Sequence, residues 1–344
     1  MTLTSSRHDR QVSTWLFACC ALVFAMIVLG GVTRLTGSGL SMAEWRPIMG
    51  AIPPTSDAEW QRVFEIYQQT PEFIKVNSHF DVDDFKGIFW LEYLHRLLGR
   101  FLGLFFALPM AWFVVRGAIP LRQLPWYLLL LALGGLQGVI GKIMVASGQV
   151  DAPAVSHYKL TAHLGAAVLV YTLMFWTALS LRFRKRSNAR HPWFARAAGV
   201  SALISVTILS GGFVAGLKAG KIFNTFPMMG DFWIPPGVLA FEPAWRNFFD
   251  NPATVQLDHR MLALVTFVVV MAFWFGLRRA ALPARARRTL PWLPAAVAAQ
   301  VALGILTLLY FVPTALAVAH QGVAVLMLTA ALAITHALRD RAPA

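Results

Sequence analysis

Eight stretches of the chain stay apolar for roughly 20 residues, the length a helix needs to cross a bilayer. They run near 14–33, 89–115, 124–145, 158–181, 195–217, 254–277, 290–311 and 315–338, and polar residues gather between them. Pro109, Pro125 and Pro313 sit in or at the ends of these runs, where neighbouring helices re-satisfy the backbone groups a proline frees, so none breaks a span. The first run has a polar flank, but its apolar core is long and no small-residue cleavage site follows. It reads as an uncleaved helix. The pattern predicts an all-α polytopic membrane protein with eight transmembrane helices.

Composition supports that solvent. With 57% hydrophobic and 13% charged residues and a mean hydropathy of +0.60, the 344-residue chain is too apolar for an ordinary soluble domain. The N-terminal tail, the loops after the second, fourth and sixth spans and the C-terminal tail are rich in Lys and Arg and hold two acids, Asp9 and Asp340. The remaining loops hold twelve of the 16 acids. Basic loops stay in the cytoplasm, so both termini are expected inside. The clusters "RFRKR" (182–186) and "RRAALPARARR" (278–288) explain most of the +14 net charge. They are short and lie between helices, which argues against a nucleic-acid surface. Cys19 and Cys20 are adjacent in the first run and no CxxC pattern exists, which argues against thiol-based metal or redox chemistry.

The chain also reads as one unit written twice. "AHLGAAVLV" (162–170) matches "AHQGVAVLM" (319–327), "EYLHR" (92–96) matches "QLDHR" (256–260), and "LQGVIGKI" (136–143) aligns with "AQVALGIL" (299–306). "GG" pairs at 30–31 and 211–212 fall late in the first and fifth spans. Occurring in the same order, these matches indicate two pseudo-symmetric four-helix bundles of parallel topology, 1–181 and 182–344.

The repeat brings out four histidines, His95, His163, His259 and His320, one near the start of each even-numbered span. With the termini inside, even-numbered spans enter from the outer side, which puts all four imidazoles at similar depth in the outer half of the bilayer. Two imidazoles at one depth in a four-helix bundle suit axial ligation of a haem iron. The residues therefore allow one bis-histidine metal site per half, His95 with His163 and His259 with His320. The alternative is four packing or interfacial histidines bonded across the bundle, less natural for repeat-equivalent ionisable residues inside a membrane. His8, His79, His157, His191 and His336 do not share the pattern and read as structural or solvated.

Glu92 lies three residues before His95 and projects from the same helix face, whereas the matched position in the second half is Gln256. A buried carboxylate can accept a proton or orient water, and an amide cannot ionise. This asymmetry suggests chemistry in the first half and a redox haem in the second. The alternative pairs Glu92 with an arginine at the membrane surface. Arg96 and Arg260 follow the histidines directly and could meet haem propionates or snorkel to the interface.

The first outer loop, 34–88, carries Trp45, Trp60, Phe64 and Tyr67. "AEWQRVFEIYQQ" (58–69) has helical apolar spacing and predicts an amphipathic helix on the outer surface, either a cap over the substrate site or a plain surface helix.

The runs "GGVTRLTGSGLSMAEWRPIMGAIPP" (30–54), "EIYQQTPEF" (65–73), "IFWLEYLHRLLGR" (88–100), "NTFPMMGDFWIPP" (224–236) and "QLDHR" (256–260) closely resemble the haem A synthase family, in its proteobacterial and mitochondrial branch. The resemblance covers nearly the whole chain. It implies oxidation of the C8 methyl group of haem O to a formyl group, giving haem A for cytochrome c oxidase of the aa3 type in a bacterial inner membrane. It implies a substrate haem in the N-terminal bundle and haem b in the C-terminal one. The family's histidines fall on His95, His163, His259 and His320, and its essential glutamate on Glu92. The expected reaction is stepwise dehydrogenation of a methyl group beside the porphyrin π-system, with water supplying the oxygen and Glu92 holding or deprotonating it. Haem O synthase, cytochrome c oxidase assembly factors, an electron acceptor and further copies of the chain are the implied partners. This sequence lacks the cysteine pair that one branch carries in the first outer loop, which removes any thiol relay proposed there.

Two other classes fit parts of the pattern. A bis-histidine cytochrome exchanging electrons with quinol would keep four histidines but needs no glutamate beside only one pair. A transporter of haem or a small molecule would share the duplication, but usually shows broken helices or a midplane charge pair. Prenyl transfer would call for Asp-rich diphosphate sites with Mg²⁺, and the loops have none.

Overall fold

The computed structural model describes residues 6–44, 49–149, 153–184 and 189–339. Trp45, Lys185, Arg186 and Asp340 lie outside the described residues. The helices are α1 (Arg7–Leu35), α2 (Asp57–Gln68), α3 (Val82–Val115), α4 (Leu124–Ala146), α5 (His157–Arg182), α6 (Phe194–Gly216), α7 (Asn247–Asp250), α8 (Pro252–Leu277), α9 (Ala284–Thr289), α10 (Trp292–Leu309) and α11 (Thr314–Ala337). Among the described residues, eight helical stretches are long and apolar enough to cross a membrane: α1, α3, α4 with the turn before it, α5, α6, α8, α9 with α10, and α11. This is a multi-pass membrane protein.

In the first half α1 packs on α3 and α5, and α4 packs on the same two helices, closing a ring. In the second, α6 packs on α8 and α11, and α10 packs on both of those. The halves meet where α5 contacts α6 and α11 and where α1 contacts α11. Leu16, Cys19, Ala178, Ile204, Leu328 and Ile334 are fully buried in one core spanning both halves. Cys19 and Cys20 serve there as small apolar side chains. Large apolar residues such as Leu104, Leu108, Trp112, Leu128 and Val139 point outward from α3 and α4, as lipid-facing positions require.

Polar groups lock the join. Tyr171 of α5 bonds Thr329 of α11 at 2.7 Å, and Gln321 of α11 donates to the Ile27 carbonyl of α1 at 2.8 Å. Gly31 and Gly212, second members of the two "GG" pairs, let the halves approach closely. A methyl group on Gly31 would sit 2.5 Å from Gln321 Oε1, and one on Gly212 2.9 Å from Thr161 Oγ1.

Three spans depart from their expected bounds, α1 beginning at Arg7 rather than 14 behind a Ser6–Asp9 capping box. α3 begins at Val82 rather than 89, because Asp81 accepts from the N–H groups of Asp83 and Asp84 while Asp84 bonds back to the Asp81 N–H, a capping box. The seven added residues make two turns, about 10 Å of helix. They carry Phe85 out to meet α2, whose Trp60, Phe64 and Tyr67 pack with Phe85, Phe89 and Tyr93. The amphipathic helix expected at 58–69 is thus present and lies against α3. The seventh span is divided: the basic segment before it forms α9, and the chain resumes as α10 after Pro291.

Candidate functional site: two histidine pairs and a buried glutamate

Each of the four repeat-related imidazoles rests against a glycine of the preceding long helix. A methyl group on Gly30 of α1 would lie 3.4 Å from His95 Nε2, and one on Gly141 of α4 3.4 Å from His163 Cε1. On Gly211 of α6 it would lie 3.3 Å from His259 Cε1, and on Gly304 of α10 2.9 Å from His320 Cε1. The first "GG" glycine therefore seats an imidazole and the second admits the other half. Within each half the two rings are electrostatic neighbours, His163 acting on His95 and His320 on His259. His163, His259 and His320 are the seventh, eighth and seventh residues of their helices, whereas His95 is the fourteenth of α3 because that helix starts two turns earlier.

The ring nitrogens are held unequally. His320 Nδ1 lies 3.1 Å from the Gln300 carbonyl, which can only accept, so this nitrogen carries the proton, and the unprotonated Nε2 accepts from the Gln300 side-chain amide at 3.3 Å. Ser210 donates to the Thr207 carbonyl at 2.8 Å, so its oxygen accepts from His259 Nδ1 at 2.7 Å, again leaving Nε2 unprotonated. Gln137, with its amide turned so that both ends are satisfied, brings its nitrogen 3.2 Å from His163 Nδ1. Gln137 and Gln300 each stand four residues before a glycine that seats an imidazole. This doubled Gln-x-x-x-Gly spacing was visible in the aligned runs 136–143 and 299–306.

Glu92 is 3% exposed. Its Oε2 accepts from the Ser41 hydroxyl and the Met42 N–H, both at 2.7 Å, and its Oε1 pairs with Arg96 one turn along α3 at 2.5 Å. Three donors converge on one carboxylate, two from the loop leaving α1. Gln256 meets the equivalent loop of the second half through its amide nitrogen, 2.9 Å from the Phe223 carbonyl, while its oxygen is buried without a partner.

The two arginines also reach loop carbonyls. Arg96 donates to the Met42 and Glu44 carbonyls at 2.9 and 3.2 Å. Arg260 donates to the carbonyls of Phe223 and Thr225 at 2.9 and 3.0 Å and of Met228 at 3.2 Å. Both guanidinium forks pin the loop that follows the first helix of their half, because carbonyls of an irregular segment have no ladder partner and need a donor from elsewhere. Of the remaining histidines, His157 pairs with Asp250 at 3.0 Å and His336 is buried against Ser180.

Among the described residues, no group of three or more His, Cys, Asp or Glu forms a metal cage. Paired imidazoles can still hold a metal whose other ligands come with it, as in a porphyrin. The glycine seats and the unprotonated Nε2 atoms of His259 and, once the Gln300 amide gives way, of His320 fit that use. Fold and site together define a multi-pass membrane protein with two half-buried histidine pairs, one beside a buried carboxylate.

Residues 13–332 match the COX15-CtaA family, described as cytochrome oxidase assembly protein. The chain belongs to this family. It is 48% identical over 336 residues to "Heme A synthase" of Nitrosospira multiformis, covering 96% of this chain and 94% of that protein. It is 44% identical over 348 residues to "Heme A synthase COX15" of Arabidopsis thaliana, covering 97% of this chain and 76% of that protein. The mouse protein of the same name is 42% identical over 349 residues, covering 98% of this chain and 84% of that protein.

Proposed function

We propose that this chain oxidises the C8 methyl group of haem O to a formyl group, producing haem A for cytochrome oxidase. The family and the names of the relatives support the activity. The observation that carries the division of labour is the buried carboxylate of Glu92 on the His95 side, against Gln256 on the His259 side.

On this reading residues 1–181 hold haem O between His95 and His163, and residues 182–344 hold haem b between His259 and His320. The termini face the cytoplasm and the sites lie toward the periplasmic side of a bacterial inner membrane, following the charge asymmetry of the loops. Haem O synthase and oxidase assembly factors are the partners that would deliver substrate and take product.

Each of two oxidation rounds adds one water and releases two protons and two electrons. The first gives an alcohol; the second gives a gem-diol that loses water to the aldehyde. Removing two electrons and one proton from the methyl group breaks a C–H bond and leaves positive charge that the macrocycle delocalises; water adds to that carbon and Glu92 takes the proton of the attacking water. Ser41, the Met42 N–H and Arg96 hold this carboxylate in place, and Arg96 ties it to the loop that covers it. Bound haem b would supply one-electron transfer toward an external acceptor.

The test is to express the chain in cells that make haem O but have no haem A synthase of their own, and to separate the extracted haems chromatographically. Haem A is the expected product. Membranes containing only haem b and haem O would contradict the reading.

A further inference from the structure

The loop helix α2 ends in a polar cluster that the reaction above does not use. Tyr67, fully buried, donates to Glu72 Oε2 at 3.3 Å and accepts from Asn77 Nδ2 at 2.8 Å. Glu72 is 7% exposed, and the chain beyond it, Phe73–Asn77, winds as a π-helical turn that brings Asn77 back to Tyr67. Such turns are rare and are frequently found at functional sites.

The cluster has a defined place relative to Glu92. Tyr67 stacks on Phe85 with ring centroids 4.9 Å apart, and Phe85, Phe89 and Glu92 follow one face of α3 at helical spacing. Tyr67 and Glu72 thus sit about two turns, or 10 Å, along α3 from Glu92 toward its N-terminus. Past them the chain reaches solvent, since Lys75, Ser78 and His79 are exposed. Both Tyr67 and Glu72 feel the charge of Glu92.

We infer that Glu72 is the proton acceptor that relays protons from Glu92 to the aqueous side of the loop. The inference rests on the proposed function, because each oxidation round releases two protons that Glu92 alone cannot keep. A protonated Glu92 passes its proton through intervening water to the Glu72 carboxylate, since the two are too far apart for direct transfer; Glu92 returns to its ionised form, and Glu72 releases the proton to solvent past Asn77. Tyr67 positions Glu72 and Lys218, just beyond α6, lies within electrostatic reach of it. Burial lifts the Glu72 carboxyl to about 7; the Tyr67 hydrogen bond opposes this, the charge of Glu92 adds to it, and Lys218 opposes it. A group titrating there exchanges protons readily in both directions near neutral pH.

The test uses the full chain purified in detergent, with infrared titration of carboxyl groups and, separately, haem A formation against pH. The relay predicts a carboxyl band that titrates near pH 7, is lost in Glu72→Gln, and moves to lower pH in Glu92→Gln as a neighbouring negative charge disappears. It also predicts that Glu72→Gln lowers haem A formation about tenfold to a hundredfold and removes the limb of the pH profile near neutrality, at unchanged haem content. Glu72→Asp should restore part of both. A carboxyl band that ignores Glu92→Gln, or a Glu72→Gln protein with the wild-type pH profile, overturns the relay. Rate lost together with bound haem in both Glu72 variants also overturns it, by assigning Glu72 to folding. If the bands are coupled but wild type forms no haem A, the shared-proton pair stands and the proposed function fails.

Discussion

The Nδ1 of His259 lies 2.7 Å from the hydroxyl oxygen of Ser210, and Ser210 directly precedes the glycine against which the same ring rests. In the first half the position matched to Ser210 is Leu29, which offers no acceptor. An acceptor at Nδ1 makes an imidazole a more basic ligand and favours oxidised iron. Ser210→Ala should therefore raise the reduction potential of the haem we propose for the second half, and weaken its retention about tenfold to a hundredfold. Redox titration of the purified protein checks this. An unchanged potential would mean that Ser210 does not tune that haem.

The glycine seats predict an order of tolerance. A methyl group on Gly304 comes to 2.9 Å from the His320 ring, whereas on Gly30 or Gly141 it meets its ring at 3.4 Å, ordinary contact distance. Gly304→Ala should therefore lose haem from the second half, Gly211→Ala should lose less, and Gly30→Ala and Gly141→Ala should keep near wild-type occupancy. Haem content per chain measures the order, and equal losses at all four positions would contradict the seating geometry.

Glu72 also makes docking of the loop depend on pH. Its folded carboxyl is raised to about 7 from 4.5, chiefly by burial, so the folded loop prefers the protonated form. The stabilisation is fully present below about 4.5 and is lost as pH rises through about 7. Limited proteolysis between α2 and α3 should accelerate across that window, and Glu72→Gln should flatten the response. Acceleration as pH falls would have the wrong sign.

Much of this architecture was legible in the sequence, because apolar runs of bilayer length admit little except helices. The four histidines and Glu92 stood out for the same reason: ionisable groups are costly among lipid tails. The first two turns of α3 were not legible, since "VDDFKGI" reads as an acidic loop unless Asp81 and Asp84 are recognised as a capping box. The "GG" pairs were visible as repeats, but their division into an imidazole seat and a helix contact needed the packing. Arg96 and Arg260 depend on loop carbonyls that no spacing reveals, and Glu72 lay in "EIYQQTPEF" without a helical partner to mark it as buried.

The most direct measurement concerns Glu92. Replacing it leaves Arg96 without its carboxylate, so Glu92→Gln is the gentler variant and its haem content shows whether the fold survives. With haem O supplied and the extracted pigments separated, wild type should contain haem b, haem O, hydroxylated haem and haem A. Glu92→Gln should keep haem b and stall at haem O, with turnover reduced about 10²- to 10⁴-fold. Haem A formed by Glu92→Gln at the wild-type rate would contradict the account.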